Sequence, residues 1–417
     1  MLRSEAPVPD TEMSAGLGLR LLLLVVGALG LQGAPEDEET RQIYLQFNPG
    51  SSSSSVNLLH TRAVGNGSTI HYVWSTIGAP TVLLIYTESE HSHLRVNWTK
   101  LLSPEPSGAI TMEPADSVLY STALTFTRIF EYKDVNNTAD FSGTADKYFY
   151  PPYDLSSFTW DNANETVNST SFSFRLSGVH ASDPTGSFRN GSVSFRISAY
   201  DRPGRDASSP RLLHTANCTK LEFMISGVQP RGNNSRFALE MVTLEKKSGR
   251  KKVRSVRSID DEYTPTIFEV MELVPDAPNA SHAHGYLQWK SVAYGSVSGT
   301  RSDSLPCIVH KPRDVNETLT VPSVIQAFYG EQPSDHYNME ALNVSFGIAD
   351  GDFYDKNKFL AWSALVGYGT PPRDSFSILV ISIVAVALGT PFLLLIVGAI
   401  IVSVMKKQVF SNYDPIN

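Results

Sequence analysis

From Phe376 to Met405 the chain runs for thirty residues without one ionisable side chain. As a straight helix this is about 45 Å, more than the ~30 Å hydrocarbon core of a bilayer, so the run can span with tilt. A segment in lipid must satisfy its own backbone hydrogen bonds, so it can only be a helix, kinked at Pro391. Lys406 and Lys407 follow at once and mark the cytosolic side. Ala385 and Gly389 form a small-x-x-x-small pair that leaves a helix partner or self-association open. The span has no charged side chain to form an ion or proton path. One helix also cannot make a carrier alone.

A second apolar run, Leu17 to Leu31, is interrupted by Arg20 and followed by Gly33 and Ala34, then by Glu36-Asp37-Glu38-Glu39. It is too short to span and ends in small residues, as a secretory signal does. Cleavage is expected between Ala28 and Ala34. The organisation that follows is type I: signal, 1–34; luminal region, 35–375; transmembrane helix, 376–405; cytosolic tail, 406–417. The tail carries Tyr413-Asp414-Pro415-Ile416 close to the bilayer. Such a peptide binds extended, with the ring of Tyr413 and the side chain of Ile416 in separate pockets. A clathrin adaptor is the expected reader, and endosomes and lysosomes the expected destination.

Eleven Asn-x-Ser/Thr acceptors lie between the two apolar runs: Asn66, Asn97, Asn136, Asn164, Asn168, Asn190, Asn217, Asn233, Asn279, Asn316 and Asn343. With twenty asparagines in the chain, chance predicts about four acceptors. The excess signifies passage through the secretory pathway, and each used site must be exposed. Only Cys218 and Cys307 are present. In an oxidising lumen one disulfide is the simplest expectation; buried free thiols are the alternative.

Alternation with period two is plain in the luminal region. Val193, Phe195, Ile197 and Ala199 share one face of a strand, with Ser192, Ser194, Arg196 and Ser198 on the other. Phe172, Phe174 and Leu176 alternate with Ser171, Ser173, Arg175 and Ser177. Further β-rich runs include Val118–Tyr132, Tyr286–Val292 and Val324–Tyr329. The predicted class is an all-β luminal region of antiparallel, sandwich-like lobes plus one C-terminal transmembrane α-helix. The length suggests two lobes, 35–205 and 206–375, divided at the Pro/Gly/Arg/Asp-rich stretch Asp201 to Pro210; a long loop there within a single lobe is the equal alternative. Lys246 to Ser258 reads as an exposed basic loop.

Net charge is −8, which disfavours nucleic-acid binding through a general basic surface. His91/His93 and His282/His284 are His-x-His pairs, but neither has an evident third metal ligand. Asp260-Asp261-Glu262 lacks the oxygen spacing of a calcium loop. No nucleophile elbow, phosphate-binding glycine loop or Cys-x-x-Cys occurs. No cofactor, metal or catalytic residue is expected.

Several stretches carry a resemblance: Leu58-Leu59-His60-Thr61-Arg62-Ala63-Val64-Gly65, His71-Tyr72-Val73-Trp74-Ser75, Val96-Asn97-Trp98, Tyr150-Pro151-Pro152-Tyr153, Arg211-Leu212-Leu213-His214-Thr215-Ala216, Ser258-Ile259-Asp260-Asp261-Glu262-Tyr263 and Leu305-Pro306-Cys307. With the tail, they resemble the glycosylated lysosomal membrane protein family from about residue 40 to the end. Two cysteines are fewer than the family pattern and leave no partner for a second family disulfide. The resemblance implies a non-enzymatic accessory subunit. It would pair with a lysosomal major-facilitator transporter of dipeptide type, shield it from luminal proteases and support its place in the lysosomal membrane. A luminal receptor or lectin-like module and a membrane-tethered acid hydrolase are the competing classes.

Overall fold

A computed structural model describes residues 39–51, 57–167, 171–247, 250–257, 269–276, 284–315, 322–374 and 378–411. The strands of the β region pair antiparallel throughout the described residues. β1 (Gln42–Phe47), β2 (Leu58–Gly65), β3 (Ser68–Ser75) and β4 (Thr81–Thr87) are joined in sequence order. β5 (His93–Val96) and β6 (Ile110–Glu113) form a separate ribbon, with α1 (Trp98–Leu101) between them. β7 (Val118–Lys133) returns beside β4, and β8 (Tyr153–Asp154) pairs with its far half.

β9 (Phe158–Val167), β10 (Ser171–His180) and β11 (Ser192–Tyr200) open a second layer. β12 (Gly204–Arg205) and β13 (Leu213–His214) make a small ribbon, after which β14 (Cys218–Ser226) pairs with β11. β15 (Ser235–Lys246) goes back to the first layer against β7. β16 (Lys251–Arg257), β17 (Glu269–Pro275) and β18 (Gly285–Lys290) form a meander in the second. β19 (Val292–Tyr294), β20 (Ser304–Val309) and β21 (Arg313–Asp314) lead to α2 (Ser323–Tyr329). β22 (Tyr337–Phe346) then pairs with β15, and β23 (Phe359–Tyr368) inserts between β14 and β18. β20 pairs with both β19 and β22 and so links the layers.

The sandwich expected from the alternation is what forms. Tyr72, Trp74, Phe126 and Leu239 of the first layer share one core with Phe174, Phe195, Phe223, Trp289 and Trp362 of the second. Phe126 meets Phe195 across the layers at 4.9 Å between ring centroids. Burial of each such side chain contributes roughly 1.5–3 kcal/mol. The first layer is also covered on its other face. There Val73, Leu83 and Ile85 pack under Leu94, Leu101, Ile110 and Ile325, from the β5–β6 ribbon, α1 and α2. This second cover is why β3 is buried at all eight positions.

Three expectations need correction. The division at residue 205 does not separate two lobes, because Glu38–Arg373 is one compact unit. β11 pairs with β14 across that position, and β7 pairs with β15. Residues 251–257, expected as a loop, are strand β16, with Lys251 turned inward to meet Glu245 at 3.1 Å. Val324–Tyr329, read as a strand, is helical, with Val324, Ile325 and Ala327 buried on one side. A short apolar run carries too little periodicity to distinguish the two.

The other compact unit contains α3 (Ile378–Ser411). Within it Ile381–Lys406 is long and apolar enough to cross a membrane, with mean hydropathy 2.6. Pro391 lies inside the helix.

Candidate functional surface

The acceptors divide by environment. Asn66 lies exposed in the β2–β3 turn, Asn190 between β10 and β11, and Asn233 between β14 and β15. Asn136 is exposed just beyond β7. Asn97 is exposed at the N-cap of α1, where its side-chain oxygen accepts from the Lys100 amide at 3.1 Å. The residue after it is anchored, since Trp98 Nε1 donates to the Pro49 carbonyl at 2.9 Å.

Asn217 and Asn343 are half-buried. The Asn217 oxygen accepts from Arg41 Nε, and its Nδ2 donates to Glu39 at 2.7 Å. Its backbone carbonyl receives the Tyr72 hydroxyl at 2.7 Å. Asn343 sits in the middle of β22 with its side-chain oxygen shielded. Asn164 lies in β9. Asn168, Asn279 and Asn316 lie outside the described residues, as do the signal segment, Asp260-Asp261-Glu262, and Tyr413 and Ile416 of the tail.

Cys218 and Cys307 are buried and free, which corrects the expected disulfide. Parity is the reason. On β14, Leu221, Phe223 and Ile225 face the central core, so Cys218 faces the other way. It packs with Leu212, Tyr286 and Leu365 in a separate cluster. Its cross-strand partner is Gly367, where a Cβ would fall 2.7 Å from the Cys218 Cβ. Cys307 instead belongs to the central core with Trp289 and Trp362. From Trp362 to Gly367 is about 16 Å along β23, far beyond the ~7 Å limit for bridged Cα atoms. Burial raises the Cys218 thiol pKa to about 11 and raises that of Cys307 as well. Alkylation of the native chain is therefore expected to label neither thiol, while alkylation in denaturant labels both. Labels that appear only after a reductant is added would restore the bridge.

Among the described residues no three His, Cys, Asp or Glu side chains gather to hold a metal. His93 Nε2 meets Glu113 at 3.1 Å on the surface, and His284 stacks edge-on to Tyr120. His282 is outside the described residues. A cleft of about 320 Å³ opens beside Arg236, Asp303, Gly347, Tyr354 and Asn357. Its one buried cation is already committed. Arg236 Nε pairs with Asp134 at 2.6 Å, and Nη2 holds the Ile348 carbonyl at 3.0 Å. Asp303 accepts from Ser296 and Thr300. These groups tie loops together and present no acid–base pair.

Two buried polar groups escaped the sequence reading. His60 Nε2 and His71 Nδ1 lie 3.0 Å apart beneath the second cover, and His71 Nε2 reaches Ser92 Oγ at 2.9 Å. Glu131, wholly buried, collects Arg231, Ser235 and Tyr153. A bulge at Thr127 hid Glu131 from a period-two reading, because β7 switches faces there.

A β body with exposed sugar acceptors is thus followed by a helix long and apolar enough to cross a membrane. A family model described as glycosylated lysosomal membrane protein matches residues 57–409. The chain belongs to that family. Glycosylated lysosomal membrane protein A of Xenopus laevis is 69% identical over 409 residues, covering 97% of this chain and 100% of the relative. The Homo sapiens member is 40% identical, covering 95% and 94% respectively, and the Bos taurus member 41%, covering 95% of each. Among solved structures, galactose 1-epimerase from Lactobacillus acidophilus NCFM aligns with a TM-score of 0.30 at 8% identity, over 78% of this chain and 99% of that one. As a glycosylated lysosomal membrane protein, the chain is a lysosomal membrane glycoprotein with one candidate span among the described residues and a large luminal β unit. Its relatives carry the name of a membrane glycoprotein, not of an enzyme.

Proposed function

We propose that this glycosylated lysosomal membrane protein is a non-enzymatic accessory subunit. It protects a lysosomal major-facilitator transporter from luminal proteases and supports that transporter's lysosomal location. The observation that carries the reading is the scatter of exposed acceptors at Asn66, Asn97, Asn136, Asn190 and Asn233 over a β body with one shared core. Glycans on such a body hinder protease approach, and the described strands have their backbone tied up in hydrogen-bonded ladders. A luminal contact and a membrane contact made together strengthen one another by effective concentration. The Tyr413–Ile416 tail supplies a signal for a clathrin adaptor to the whole complex.

The test is crosslinking in lysosomal membranes with identification of the partner, alongside deletion of this chain. A transporter that crosslinks to it and falls several-fold in abundance on deletion, with recovery under luminal protease inhibitors, supports the role. A partner that persists at its normal level overturns it.

A further inference from the structure

β10 and β11 carry one pattern twice, Ser173-Phe174-Arg175-Leu176-Ser177 and Ser194-Phe195-Arg196-Ile197-Ser198. Their antiparallel register sets Arg175 opposite Arg196 and Ser177 opposite Ser194. Phe174, Leu176, Phe195 and Ile197 lie in the core, so both arginines stand on the outer face of the second layer. Like charges directly opposite one another destabilise a sheet. Among the described residues one carboxylate pairs with them. Glu222, opposite Arg196 on β14, meets Arg196 Nη1 at 2.9 Å.

Arg175 bonds no carboxylate among the described residues. Its Nη2 donates to Met224 Sδ at 3.4 Å, a weak acceptor. Its Nε is buried and has no partner. Beside the pair, the hydroxyls of Ser177 and Ser194 lie 3.1 Å apart. Asp161, exposed on β9 opposite Ser177, bonds neither arginine. The plate thus holds two guanidiniums with one ion-paired carboxylate, Glu222, and a second, Asp161, that pairs with neither, and a buried donor is left over. An unsatisfied buried donor is costly, and an anion seated between the two guanidiniums would relieve their repulsion.

We propose that Arg175 and Arg196 form a receptor for an oxyanion, a sulfate or phosphate carried by a luminal ligand. A guanidinium fork matches such an anion in two-point geometry, and the Ser177–Ser194 hydroxyls supply further donors. Partial burial and the charge of Arg196 press the Arg175 pKa downward, and the charge of Glu222 offsets them only in part. A bound anion reverses that pressure.

The experiment uses the full chain in nanodiscs of neutral lipid, with sodium sulfate titrated against sodium chloride at matched ionic strength. Sulfate is expected to raise the unfolding midpoint of the wild type beyond chloride. Arg175→Gln is expected to weaken the apparent affinity about tenfold or more, as loss of a charge-assisted hydrogen bond does. That variant also relieves the cross-strand repulsion, so its midpoint in chloride should hold or rise. A conservative Arg175→Lys should recover only part of the sulfate response. A sulfated disaccharide and phosphatidylglycerol vesicles serve as further arms. Binding to either one that free sulfate displaces and Arg175→Gln abolishes upholds the site and names the carrier. A sulfate response equal in wild type and Arg175→Gln, or no sulfate response in the wild type, overturns the proposal.

Discussion

Glu131→Gln is expected to destabilise the luminal β unit by about 3–5 kcal/mol, the usual cost of removing one partner from a buried ion pair. The carboxylate serves four donors. One oxygen takes the Arg231 amide at 2.6 Å and Ser235 Oγ at 2.7 Å; the other takes Arg231 Nε at 2.7 Å and the Tyr153 hydroxyl at 3.2 Å. Arg231 has its guanidinium carbon 4.0 Å above the Tyr153 ring, and its side chain is only 11% exposed. Without Glu131 that charge is stranded among aromatic rings. Domains have only about 5–15 kcal/mol of net stability, so the variant should lose a large share of it. Denaturant unfolding of the full chain in detergent would read the change. A shift under about 1 kcal/mol would mean that Arg231 finds water and that the network adds little.

Acidification is expected to weaken the fold through His60 and His71. Burial lowers the His60 pKa to about 4, with Arg62 adding to the effect. Burial lowers His71 to about 2, with His60, Arg62 and His93 adding to it. Both folded values lie below the unfolded value of about 6.5. The unfolded chain therefore binds more protons, and stability is lost as pH falls from about 6.5 toward 4. Between pH 7 and pH 5 the loss is about 2 kcal/mol per ring.

The geometry explains the preference for neutral rings. One proton between His60 and His71 and one between His71 and Ser92 give every donor an acceptor. A further proton would set two donors face to face. The double variant His60→Gln, His71→Gln should lose at least half of the wild-type difference in unfolding midpoint between pH 7 and pH 5. An unchanged difference would place the acid sensitivity elsewhere.

The alternations at 171–177 and 192–200 announced β10 and β11, and the apolar run announced α3, because each pattern is local. The lobe boundary failed because β7–β15 and β11–β14 join residues far apart in the chain, and composition at 201–210 says nothing about such pairing. The cysteine parity was present in Cys218 against Leu221, Phe223 and Ile225. Compartment reasoning alone made a bridge seem simplest, since it takes no account of faces. His60 and His71 were hidden for another reason. They sit on what a two-layer sandwich would expose, and only the β5–β6, α1 and α2 cover buries them. Arg175 and Arg196 were read as ordinary outward residues; their register, not their spacing, makes them a pair.

β23 is the last strand before the span, and it lies between β14 and β18 rather than at an edge. A pull on the anchor therefore reaches the body through a strand hydrogen-bonded on both sides. Ladders on both of its sides would have to give way before it could leave the sheet. A strand tethered at a sheet's rim would peel under far less force. Traffic, membrane deformation or a protease tugging at the juncture should find the body mechanically stiff from this end.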